Sequence, residues 1–92
     1  MIEHFYLCSF QIYKDGNKKS RPHIRPRYIK AGNADKAYRK AQLVCNSDRL
    51  THSAADIVVC RKKNIKPSLI ENARREITCN PDLLIDVKLQ ES

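Results

Sequence analysis

The chain has no tryptophan and only six aromatic residues, four Tyr and two Phe. Stable protein interfaces favour aromatics at a dry centre, so with several of the six needed for the core a large apolar hot spot is hard to build. Glycine is scarcer still: Gly16 and Gly32 are the only two, and with no Gly-rich loop to cradle phosphates a nucleotide-dependent enzyme is excluded. Long apolar runs are missing. The longest, Phe5 to Cys8, Ile57 to Cys60 and Leu83 to Ile85, fall far short of the roughly 20 residues that cross a bilayer, so no membrane partner is expected. The N-terminal residues Met1 to Cys8 offer no basic n-region, no unbroken apolar h-region and no small-residue cleavage site, which argues against a signal peptide and for a cytoplasmic protein. There is no C-x-x-C. Cys8, Cys45, Cys60 and Cys79 are widely spaced, and the pairings His4 with Cys8 and Cys45 with His52 match no zinc knuckle. They read as four reduced, mostly buried thiols, with no metal and no cofactor expected.

What is present is a chain of 92 residues, enough for one domain over 1–92 that buries about 60 to 65% of its unfolded surface. No internal repeat, low-complexity tract or linker divides it. Residues 5–13 alternate Tyr6, Cys8, Phe10 and Ile12 against Ser9 and Gln11, the signature of a strand with one dry face. Asp15-Gly16-Asn17 tolerates positive φ and predicts a hairpin turn. The partner strand, about 20–29, contains Pro22 and Pro26; equal parity puts both missing donors on one side, so this is an edge strand. Ala34, Ala37, Tyr38, Ala41, Val44 and Cys45 recur at helical spacing and predict a helix over 34–46. Residues 46–53 read as loop and 56–60 as a short buried strand. Ser68-x-x-Glu71 is a capping box that predicts a second helix from Ser68, with Leu69, Ile70, Ala73 and Ile77 as its core stripe and Asn80-Pro81 as its stop. Alternation over 83–89 suggests a last strand, with a short terminal helix as the other option. The expected fold is α+β: a small two-layer domain, β-β-α-β-α-(β), with an antiparallel sheet ordered 2-1-3, an N-terminal hairpin, and both helices on one face.

The charge is local. The formal net charge is +8. Between Lys14 and Lys40 ten basic residues face only Asp15 and Asp35, so that window carries the entire excess. Arg21, His23, Arg25 and Arg27 have one parity and project from one face of the second strand, with Ile24, Pro26 and Tyr28 turned to the core. Such a comb repels itself unless an anion lies across it, and guanidinium groups bind phosphate oxygens bidentately. Lys18 and Lys19 extend the comb at the hairpin tip and Lys30 at its far end, while Tyr13 or Phe5 on the wetter face would stack an unpaired base. Arg61, Lys62, Lys63 and Lys66 form a second basic run.

Three functions fit. The first is a non-enzymatic nucleic-acid-binding protein, for DNA or RNA, held by phosphate contacts and weak in sequence preference. The second is a protein-interaction or inhibitor protein whose basic hairpin docks an acidic surface of a larger assembly. The third is a metal-independent ribonuclease using His23 or His52 with a nearby arginine, although no carboxylate is spaced to orient either histidine.

Overall fold

The computed structural model describes residues 4–89. Strand β1 (His4–Tyr13) is the centre of a four-stranded sheet. Strand β2 (His23–Ala31) pairs antiparallel along its whole length on one edge. The other edge is shared end to end by β3 (Ile57–Val59), opposite Gln11 to Tyr13, and β4 (Ile65–Ser68), opposite Phe5 to Cys8. Helix α1 (Ala34–Cys45) follows the hairpin and α2 (Ile70–Cys79) follows β4. This is an α+β domain with an antiparallel sheet, and the hairpin and the place of β1 between β2 and β3 are as the sequence predicts, while β4 is an added neighbour of β1.

The even row of β1 makes the main core. Tyr6, Cys8, Phe10 and Ile12 pack with Ile29 and Ala31 of β2 under Ala37, Ala41 and Val44 of α1. Two alanines on that stripe let α1 lie close to the sheet. Asn33 caps it, its side chain accepting the Lys36 N–H at 2.8 Å. The odd row is not simply wet. Phe5 and Tyr28 close over Ala73 of α2, with Leu7, Ile77, Leu83 and Leu84 around them, and the Tyr28 hydroxyl donates to the Glu76 carboxylate. Because successive strand residues face opposite ways, α1 and α2 cover opposite faces of the sheet, not one face as expected.

Three further expectations are corrected. The stretch 65–68, which the sequence divides between the second basic run (ending at Lys66) and the start of the second helix at Ser68, is β4; four residues with a proline carry too little periodicity to announce a strand. The capping box does not form: Ser68 is held in the ladder opposite Phe5, α2 starts at Ile70 behind Leu69 with no side-chain cap, and Leu69 (73% exposed) and Ile70 lie outside the core. The predicted last strand is absent. Pro81–Leu83 forms a single 3-10 turn, and beyond it only the Ile85 N–H reaches a strand, donating to the Tyr28 carbonyl at 2.9 Å. That ladder cannot lengthen. Pro26 has no N–H on the same outer edge, and the Lys30 carbonyl is taken by the Lys40 ammonium at 2.7 Å. The alternation read in the sequence survives as burial, with Ile85 in the main core, Val87 packed against it, and Asp86 and Lys88 exposed.

Candidate nucleic-acid interface

Directly opposed residues of a sheet share a face, and the register sets Cys8 against Arg27, Phe10 against Arg25 and Ile12 against His23. The basic comb therefore stands on the face that α1 covers, and Ile24 (48% exposed) and Pro26 take the other, exposed face. This reverses the expected sides. The reason is that β1 decides which row is dry: the helix covers β2 at Ile29 and Ala31 and leaves the stretch beyond them to charged side chains. Phe5 and Tyr13, expected as stacking surfaces, are buried at 6% and 9% exposure and offer no ring to a base.

Beyond the end of α1 two irregular segments meet. The hairpin tip is a 3-10 turn over Lys14–Gly16, in which Asp15 (φ 54°) and Gly16 (φ 68°) are left-handed. Gly16 is required there, since a Cβ would stand 3.3 Å from the Ala55 carbonyl oxygen. The facing loop is anchored by Leu50, which is in the main core, and is pinned by Asp56. One Asp56 oxygen accepts the backbone N–H groups of His52 (3.1 Å) and Ser53 (3.3 Å), and the other accepts that of Asp15 (3.2 Å). The Asp15 and His52 amides, in that order, hold the Asp56 carboxyl below its usual range. One carboxylate thus fastens the loop to itself and to the hairpin tip.

Between them lies an open cleft of about 630 Å³ lined by Lys14, Arg21, His23, Arg25, His52 and Asp56. Ile12 of β1 lines it from the sheet. Arg25 reaches across the cleft and its guanidinium contacts Nε2 of His52. Arginine has no acceptor, so it donates and the imidazole receives through its lone pair. The cleft holds three permanent cations and two imidazoles against one carboxylate whose oxygens are already occupied.

Of the residues singled out in the sequence, Arg21, His23, Arg25 and His52 are brought together here. Lys14 and Asp56 join them without having been selected, Lys14 because it was counted only in the charge window and Asp56 because nothing in the local sequence ties it to the hairpin. The others lie elsewhere. Lys18 and Lys19 are exposed on the turn, and Arg27 bends back to the Pro26 carbonyl at 2.7 Å. Lys30 sits over the Phe5 ring on the opposite face, 5.4 Å from its centre. The second run is dispersed: Arg61 bonds Gln11 at 3.4 Å, Lys62 pairs with Asp35 at 3.1 Å beside Tyr38, and Lys63 and Lys66 are exposed.

Among the described residues no group of three or more His, Cys, Asp or Glu side chains is placed to hold a metal ion. No helix among them is long and apolar enough to cross a membrane. Cys8 and Cys60 are buried, Cys45 is half-buried and Cys79 is exposed, all as free thiols. The neighbouring Cys60 sulfur, together with burial, pushes the Cys8 thiol up, and burial pushes Cys45 up to about 11, so neither is a nucleophile at neutral pH. No family model, curated protein or solved structure matches the chain.

Proposed function

We propose that this chain is a small nucleic-acid-binding protein that grips the phosphate backbone in the cleft between the hairpin tip and the 51–56 loop, without strong sequence preference. The observation that carries the reading is the convergence of Lys14, Arg21 and Arg25 on one concave surface whose only lining carboxylate is Asp56, already engaged by three backbone N–H groups. Like charges gathered around a cleft raise the local potential and draw in a polyanion. Phosphate contacts supply affinity without reading bases, and Phe5 and Tyr13, the rings expected to stack a base, are buried. The cleft calls for no cofactor. Free thiols at Cys8 and Cys60 in the core suit a reducing compartment, which favours the cytoplasm.

The test is fluorescence anisotropy with labelled DNA and RNA oligonucleotides across a salt series. Binding should weaken steeply with salt. Replacing Lys14, Arg21 and Arg25 together by alanine should lower affinity at least about tenfold and flatten the slope by about one for each phosphate no longer neutralised. Arg27→Ala should bind as the parent does, because Arg27 is turned to the Pro26 carbonyl. If no nucleic acid binds at low salt, the reading is overturned and the same cations become a dock for an acidic protein surface.

A further inference from the structure

Two imidazoles in a cationic cleft are more than phosphate binding requires. His23 and Arg25 project from the same face of β2, two residues and about 6.6 Å apart at strand rise, and the His52 ring meets Arg25 from the opposite wall. Arg25 thus contacts one histidine of the cleft and follows the other on β2. A phosphodiester undergoing in-line displacement calls for these kinds of group: a base at the attacking oxygen, an acid at the leaving oxygen on the far side of phosphorus, and a cation at the non-bridging oxygens.

Resting on the phosphate-binding reading, we propose that the cleft cleaves single-stranded RNA by 2′-O-transphosphorylation, with His52 as general base and His23 as general acid. Nε2 of His52 already receives a hydrogen bond through its lone pair, the form in which an imidazole takes up a proton. When a phosphate enters, Arg25 exchanges that acceptor for the anionic phosphoryl oxygens, a charge-assisted bond, and frees Nε2 for the ribose 2′-hydroxyl. His52 takes the 2′-hydroxyl proton as the O2′–P bond forms. The P–O5′ bond breaks, and His23 gives its proton to the departing O5′. The products are a 2′,3′-cyclic phosphate and a 5′-hydroxyl, and one proton gained and one lost leave the balance closed with water resetting the pair. Lys14 and Arg21 share the added charge of the pentavalent phosphorus. Asp56 is a positioning residue: it touches no reacting atom but holds the backbone at His52 and Ser53 and fastens that loop to Asp15. DNA, lacking the 2′-hydroxyl, binds uncut.

The experiment incubates the purified full chain, in EDTA, with a labelled single-stranded RNA oligonucleotide and with its 2′-O-methyl counterpart, and reads products by mass spectrometry and binding by anisotropy. The expected result is cyclic-phosphate ends from RNA only, and a loss of rate of about 100-fold or more in His52→Ala and in His23→Ala that far exceeds any loss of affinity of either variant for the 2′-O-methyl strand. Both histidines are exposed, so an unchanged melting temperature is expected and shows that each variant is folded. RNA that binds and stays intact overturns the catalytic proposal while leaving the binding reading standing. Cleavage equal in parent and variants also overturns it, marking a contaminating nuclease. Absence of binding to either strand overturns both.

Discussion

A single carboxylate joins the 51–56 loop to the hairpin tip beyond the last strand pair, Tyr13 with Ile57. Asp56 accepts three backbone N–H groups, two from its own loop and one from the hairpin tip across the cleft. The carboxyl is held below its usual value, so in the folded chain it stays ionised at pH values where the unfolded chain binds a proton. Its stabilising effect is therefore fully present above the unfolded value of about 3.9 and fades as pH falls through the lower folded value. Asp56→Ala should melt at a lower temperature than the parent at pH 7, and the gap should stay constant down to about pH 5 and narrow below about pH 3.9. Thermal denaturation monitored by circular dichroism across that range checks it. A gap independent of pH would mean that the carboxylate contributes by shape alone. The neighbouring left-handed pair Asp15 and Gly16 was legible from the Asp-Gly step. The bond from Asp15 to a residue forty-one positions away was not, because nothing in either local sequence specifies a partner at that range.

The two helices differ in how they begin. Asn33 caps α1 through a side-chain bond, whereas α2 starts with no side-chain cap although Ser68-x-x-Glu71 spells one. Asn33→Ala should lose about 0.5 to 2 kcal/mol, and Ser68→Ala should stay within about 0.5 kcal/mol, both read from urea denaturation midpoints at constant slope. A larger loss at Ser68 would show that its place in the ladder opposite Phe5 matters more than the missing cap suggests. The contrast shows where sequence reading succeeds at this scale. Helix α1 was legible because its apolar residues keep one helical spacing from Ala34 to Cys45. At Ser68 a local motif competes with strand pairing to β1, and the tertiary partner wins. The C-terminal alternation misled in another way: the burial pattern is real, but a strand also needs a partner edge, and Pro26 and the occupied Lys30 carbonyl deny it one.

At the scale of the whole molecule, one sheet separates two cores that the C-terminal segment ties together. Leu84 packs in the smaller cluster with Phe5 and Tyr28, and the next residue, Ile85, packs in the larger one with Phe10 and Val44. Ile85→Ala should therefore cost about 2 to 5 kcal/mol although the residue lies in no strand, whereas Leu69→Ala, at an exposed position, should cost less than about 0.5 kcal/mol. Chemical denaturation of the two variants decides it. The concentration of charge between Lys14 and Lys40 and the shared face of His23, Arg25 and Arg27 were legible in the sequence, since both follow from counting and parity. Which face that is, and that the 51–56 loop supplies the cleft's other wall, depend on packing between segments remote in the chain. The same architecture bears on synthesis. Strand β1 keeps one edge for β3 and β4, and β4 ends at Ser68. A ribosome that has released residues 4–31 exposes a finished hairpin whose Phe- and Tyr-rich central strand has an unpaired edge, and some forty further residues must emerge to cover it. An exposed, apolar edge of this kind templates intermolecular pairing. The nascent chain is thus most prone to aggregate in that interval, with Pro26 of β2 protecting the opposite edge only.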